Sequence, residues 1–416
     1  MADPACGRQV KGSLRSLTSR PETASFVWPG AVLGAVIAVG LLDQQVITPL
    51  IAALAGGLGV GVADIGLAIS AYSFAAALAA LVMGPLSDSR GRRPYLLLAV
   101  TLILVSAVVI SLASSYAAFV VARVAAGFAG GTVAALAVAW IADLVPYRRR
   151  GKVMAVLMGG AMGTAILGQV GAAFAAGRFG HPSVYLVIAL LAVLALATLR
   201  ALPETRSRPA VSDSLRQSLA GHLEFVKSPV HRTAAFAAFF MSGSLVGISA
   251  YASGWVQEAR GFSLEQVGLL YGGLGAAIMA AQLIAGPLSD RIGKRRFTVL
   301  VSMAVAAMTP LLPSLTSIAL VAALLLFGCL AVARIAAFTA LRSELVPKAR
   351  RAGFLGFCNV FSQLGIAAAV AAGGLLYPYG FEPVCWLMAG LGGLAVVLIM
   401  RVPEPGFREG TESAAG

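Results

Sequence analysis

Along the chain, apolar runs alternate with short polar breaks marked by Gly, Pro and charge. The first six runs cover roughly 27–53, 63–84, 94–113, 116–144, 152–176 and 183–201. A second six cover roughly 232–257, 265–286, 297–313, 317–343, 353–376 and 383–400. A helix needs about 20 mostly apolar residues to cross a bilayer, and these runs are of that length. They show none of the period-two alternation of a lipid-facing barrel strand. The expected fold is an all-α membrane protein of twelve transmembrane helices. Between the two sets, residues 203–230 are polar and basic, and 213–227 contain enough helix formers for an amphipathic surface helix. The expected organisation is a tail (1–26), a six-helix bundle (27–202), a linker (203–230), a second six-helix bundle (231–402) and a second tail (403–416).

The polar breaks repeat. GPLSDSRGRR (84–93) returns as GPLSDRIGKRR (286–296), 202 residues later. ADLVPYRRRG (142–151) returns as SELVPKARRAG (343–353), and ALPETR (201–206) as VPEPGFR (402–408). Three landmarks at nearly constant spacing make the halves homologous and pseudo-symmetric.

Composition agrees with the pattern: 59% hydrophobic, 12% charged and a mean hydropathy of +0.89. The formal charge of +14 would suit a nucleic-acid partner, but the basic residues cluster in short breaks on one side. All but four of the 31 Lys and Arg residues belong to the tails, the linker and the breaks after runs two, four, eight and ten. The exceptions are Arg178 and Arg260 on the opposite side and Arg123 and Arg334 inside runs. That is the positive-inside bias. It argues for a lipid bilayer and not a nucleic acid, and puts both tails in the cytoplasm of a cell with this protein in its inner membrane. No leader with a short apolar core and small-residue cleavage site begins the chain. The cysteines (Cys6, Cys329, Cys358, Cys385) form no CxxC pair and the histidines (His181, His222, His231) no ligand cluster, so neither a metal site nor a cofactor is expected. Without a phosphate-binding loop or a catalytic triad, neither an ATPase nor another enzyme is expected.

Two six-helix halves with G-x-L-x-D-x-x-G-R-[RK] after the second helix resemble the major facilitator superfamily, from about 27 to 402. Gly84, Leu86, Asp88, Gly91, Arg92 and Arg93 match this signature. Gly286, Leu288, Asp290, Gly293, Lys294 and Arg295 match its repeat. RVAAGFAGG (123–131) is similar to the R-x-x-x-G-x-x-x-G signature of proton-coupled members. LPETR, and an acid followed by proline in LLDQQVITPL (41–50), resemble the twelve-helix drug:proton antiporter group. The fifth run departs from that group: GGAMGTAILGQVGAAF (159–174) has the glycines but carries Gln169 where the antiporter motif has proline. The resemblance implies a monomeric secondary transporter with a small-molecule substrate and protons as partners. It also implies that the repeated polar segments latch the halves in one state and release in the other. On charge alone they would serve as topology anchors.

A charge inside a bilayer is costly and defaults to a functional reading. Asp43 lies about 16 residues, or about 24 Å, into the first helix. A carboxylate there can exchange a proton in each cycle, or form a permanent ion pair. Arg123, inside the fourth helix, needs a partner, and the resemblance makes Asp43 the candidate. Arg334 has no acid inside its own half; it either attracts anionic groups or snorkels. Gln44, Gln45, Gln169, Gln282, Asn359, Ser362 and Gln363 either line a cavity or bond between helices. Trp28, Trp140 and Trp255 read as interfacial anchors. Tyr72, Phe74, Phe239, Phe240 and Tyr251 would line an aromatic cavity or pack against lipid. The expected function is proton-coupled efflux of amphipathic or cationic compounds. The alternatives are a proton-linked carrier of one metabolite, such as a sugar or organic acid, and a non-transporting sensor or scaffold.

Overall fold

The computed structural model describes residues 22–144, 147–202 and 214–404. Within them, the side chains at 22–29, 88–90, 138, 141–152, 154–158, 162, 165, 214–219 and 349 lie outside the description. In lipid every backbone N–H and C=O must be paired inside its own segment, which only a helix or closed barrel achieves. Each apolar run is accordingly a helix. In chain order these are α1 (Glu22–Leu58), α2 (Val62–Arg90), α3 (Arg93–Leu112), α4 (Tyr116–Leu144), α5 (Tyr147–Phe179) and α6 (His181–Arg200). Then come α7 (Ser214–Lys227), α8 (Pro229–Glu258), α9 (Leu264–Ile292), α10 (Lys294–Met308), α11 (Ser317–Glu344), α12 (Arg351–Leu376) and α13 (Phe381–Met400). Twelve are long and apolar enough to cross a membrane, and α7 is not among them. The two sets of six form two pseudo-symmetric bundles.

The repeated polar segments depart from the expected loops. Residues 84–90 continue α2 through Pro85, and 286–292 continue α9 through Pro287. The chain turns only at Gly91 (φ 88°) and Gly293 (φ 97°), where a side chain would be strained. Each helix runs on past its apolar stretch and ends at the glycine that takes positive φ. Likewise α1 starts at Glu22, inside the expected tail; residues 1–21 lie outside the described residues.

The repeated landmarks meet in space. Arg93 donates to the carbonyl of Arg200 at the end of α6. Its counterpart Arg295 donates to the Val402 carbonyl at 3.4 Å, and the Arg295 N–H to Glu404 at 3.1 Å. Lys294 pairs with Glu344 at 2.9 Å and lies 3.9 Å from Asp290. Each of these contacts stays within one half. The side chain of Asp88 lies outside the described residues. A Cβ on Gly84 or Gly286 would meet nothing within 4 Å, so these glycines make no close approach here.

The two bundles touch at one end and part at the other. At the end away from α7, called the far end, a Cβ on Gly66 of α2 would lie 2.1 Å from the Tyr251 hydroxyl of α8. One on Gly254 would lie 2.8 Å from Val62, and one on Gly374 of α12 3.4 Å from the Ala63 carbonyl. Gly268, Gly272 and Gly275 of α9 face Ala173, Val170 and Ile166 of α5 at 2.6, 2.7 and 2.2 Å by the same measure. Small residues let helix backbones approach closely in lipid. At the α7 end, Gly159, Gly160 and Gly163 of α5 have open space beside them, and Leu283 and Ile284 of α9 are strongly exposed. The fold is therefore sealed at the far end and open between its halves at the α7 end. Of the α5 glycines, Gly168 packs closely, against Leu42; the seal itself uses the glycines of α9.

Helix α7 lies across the open end and touches α2, α8 and α12. Phe225 is its buried anchor, set among the rings of His231, Phe354 and Phe357. Arg350 covers that ring at 4.9 Å and pairs with Glu224. His231 is thus a packing residue. The tryptophans differ too. Trp140 is fully buried, and Trp255 is stacked on Phe381 with ring centroids 4.7 Å apart.

Candidate functional site

Helix α1 is surrounded by α2, α4, α5, α6, α8 and α9, so its polar positions face protein or the opening between the halves. Two small residues set its place: Gly40 faces Val133 of α4, and Leu42 lies over Gly168 of α5. Asp43, on the same side as Gly40, is thereby directed into the first bundle.

Helix α4 is brought onto α2 by the glycines of its motif. A Cβ on Gly127 would lie 2.2 Å from the Tyr72 carbonyl, and one on Gly131 2.4 Å from that of Ala76. Gly130 leaves room for the Tyr72 hydroxyl. The same motif supplies Arg123, one helical turn before Gly127, which therefore lies under the Tyr72 ring with its guanidinium carbon 4.4 Å from the centroid. Leucine at Gly127 has nowhere to go but into backbone. Gly127→Leu is expected to cost at least about 1–3 kcal/mol by overpacking, read as a lower melting temperature of the purified protein.

Asp43 and Arg123 form the expected pair. Nη1 of Arg123 lies 3.3 and 3.4 Å from the two carboxylate oxygens and 3.4 Å from the Asp43 carbonyl. Both side chains are 1% exposed. Well-formed N⁺–H···O⁻ bonds are about 2.7–2.9 Å long and often use two nitrogens. This pair is longer and uses one. Nε of Arg123 and the hydroxyl of Tyr185, both buried, have no partner in the described residues. The site is a loosely held ion pair with spare donors around it. An attraction of this kind can be opened by one proton on Asp43.

Gln44 is half-buried and Gln45 exposed, one and two residues from Asp43. Gln169 and Gln363 are half-buried; Gln282 and Asn359 are exposed. Among the described residues none of these amides finds a hydrogen-bond partner in the protein, so they are not interhelical ties. Aromatic side chains of the second half cluster between α8 and α12. Phe236 meets Phe361 edge-on at 5.2 Å and Phe239 at 6.3 Å. Tyr72 and Tyr251, candidates for an aromatic lining, are instead buried, one under Arg123 and one in the far-end seal. Arg334 is also fully buried, and it lies apart from the Asp43 site.

Sequence reasoning missed Tyr185 and the seal residues Gly66, Gly254 and Gly374. Nothing in periodicity marks a tyrosine that shares a site with residues 62 and 142 positions away. Gly130, set between two motif glycines, was the available sign that a bulky group approaches there.

The model of the Major Facilitator Superfamily matches residues 33–280 and 234–415. The chain belongs to the Major Facilitator Superfamily and is a multi-pass membrane protein. It is 26% identical over 255 residues to the uncharacterized MFS-type transporter YtbD of Bacillus subtilis, a match covering 61% of each chain. It is 30% identical over 167 residues to the multidrug resistance protein MdtL of Escherichia coli, covering 40% of this chain and 43% of that one. The chain thus matches less than two thirds of the length of either relative. In fold it superposes on the crystal structure of a D-xylose-proton symporter with a TM-score of 0.76 at 17% identity, over 92% of this chain and 99% of the symporter.

Proposed function

We propose that the protein is a monomeric, proton-coupled exporter of small amphipathic compounds, cations among them, that works by alternating access. The α7 end faces the cytoplasm of an inner membrane, as the basic clusters there support. The observation that carries this reading is the buried Asp43–Arg123 pair, adjacent to Gln44 and Gln45 at the opening. A proton on Asp43 removes the charge that holds Arg123. The guanidinium then keeps only the Tyr72 face and the Asp43 carbonyl, and α1 is freed to shift against α4. The unpartnered amides with Phe236, Phe239 and Phe361 give the opening an apolar wall with isolated polar groups, the usual makeup of a small-molecule site. The likeness to MdtL supports the same substrate class. The repeated segments, Gly84, Asp88, Gly91, Arg92 and Arg93 with Gly286, Asp290, Gly293, Lys294 and Arg295, close the α7 end in the opposite state. Rocking of two halves about a central site then moves the cargo.

A second reading, proton-linked carriage of an organic acid, is favoured by Arg334, a buried cation without a carboxylate. Purified protein in proteoliposomes separates the two. Lipophilic cations, sugars and organic acids are added in turn while internal pH is followed. Proton flux on adding the cations is the expected result. Flux with organic acids alone selects the second reading, and no flux with any class contradicts both.

A further inference from the structure

The second bundle contains a charge that the transport cycle above does not use. Arg334 of α11 has zero exposure. Its Nη2 lies 3.4 Å from the Met241 carbonyl and 3.4 Å from the Ser244 hydroxyl, both on α8. Its Nε and Nη1 have no partner in the described residues. Ion pairs join Asp43 to Arg123, Lys294 to Asp290 and Glu344, and Arg350 to Glu224; none of these reaches Arg334. Eight residues on, about 12 Å along the same face of α11, Arg342 is also buried. It donates to the Thr339 hydroxyl at 3.0 Å, lies over Phe338 and touches the Cys358 thiol, with its Nε unpartnered. A buried guanidinium left without a counter-charge is strongly unfavourable.

The internal repeat shows what is missing. A spacing of 201, that of ADLVP to SELVP, carries the contact of Gly40 with Val133 onto that of Met241 with Arg334. It carries Asp43 onto Ser244. The same spacing carries Arg123 onto Leu324 and Val133 onto Arg334. In the first bundle a carboxylate of the chain stands between the helices beside an arginine of α4. In the second, a hydroxyl takes the place of that carboxylate, and the arginine beside it comes from a different position on α11.

We propose that a small monovalent anion, either chloride or the carboxylate group of an organic compound, binds between α8 and α11 in the place equivalent to the Asp43 carboxylate. Arg334 donates to it through Nε and Nη1, and Ser244 borders it. Arg342 provides an earlier cationic stop on the way in from the α7 end. This site goes beyond the exporter reading, and it is tested without transport.

The melting temperature of the purified protein in detergent is measured against sodium chloride and against sodium acetate, with sodium isethionate, a bulkier anion without a carboxylate, holding ionic strength constant. The wild type is expected to gain roughly 2–4 °C in a saturable manner. Ser244→Asp, which builds in the carboxylate, is expected to show the higher melting temperature without added anion and to lose the dependence. Arg334→Gln is expected to lose it too; should that variant fail to fold, the Ser244→Asp comparison decides alone. Saturation by chloride alone identifies an inorganic ion, and saturation by acetate identifies a carboxylate. A wild type with no saturable response, or a Ser244→Asp protein that responds as the wild type does, overturns the site.

Discussion

Asp43→Asn is expected to reduce substrate-driven proton movement to that of empty liposomes and to destabilise the fold. The two effects have different causes and can be separated. The amide cannot take and release a proton, so coupling is lost whatever the stability. The stability loss comes from Arg123, which stays fully buried with its counter-charge gone. Removing one member of a buried pair typically costs about 3–5 kcal/mol, whereas replacing both is often near neutral. The double variant Asp43→Asn with Arg123→Leu is therefore expected to recover most of the melting temperature and none of the proton flux. Flux that persisted in a well-folded Asp43→Asn protein would leave the pair as structure.

Locking the far end is expected to have an equally large effect. A cysteine pair at Ala173 and Gly268 falls where a Cβ on Gly268 already lies 2.6 Å from that of Ala173. Disulfides need about 3.5–4.5 Å between Cβ atoms, so the helices give way by about 1 Å and the bond then holds α5 to α9. The oxidised variant should load substrate from the α7 end, transport nothing, and recover on reduction. Cys329, Cys358 and Cys385 are free thiols, and Ser replacements at these positions and at Cys6 keep the cross-link unambiguous. Transport by the fully cross-linked protein would show that the far end need not open.

Much of this was legible in the chain. Twelve apolar runs with polar punctuation define twelve helices because a bilayer leaves the backbone few alternatives. The repeat of GPLSD and its two companion landmarks defines the halves. The cost of burying a charge marks Asp43 and Arg123 as residues that need partners, and the family resemblance is what pairs them. What sequence did not show has a common origin. Tyr72 was read as a cavity aromatic, yet the glycines of the arginine motif draw it beneath Arg123. Trp140 was read as interfacial, yet it is fully buried among helices distant in the chain. Gly84 belongs to the repeated signature, yet it faces open space because the halves part at that end. Each depends on which helix lies beside which, and on the state of the opening, neither of which is encoded in the period of one helix.

The account rests on two halves that open at alternate ends, and the distance between them at each end tests this most directly. Spin labels at Thr164 of α5 and Leu283 of α9 report the α7 end; labels at Gly177 and Glu265 report the far end. All four positions are exposed. Pulsed electron spin resonance in liposomes, with and without a proton gradient and a transported compound, is expected to give two populations at each pair. The α7-end distance should shorten as the far-end distance lengthens, and Asp43→Asn should hold the protein in one population. A single unchanged distance at both ends under every condition would contradict the alternating mechanism.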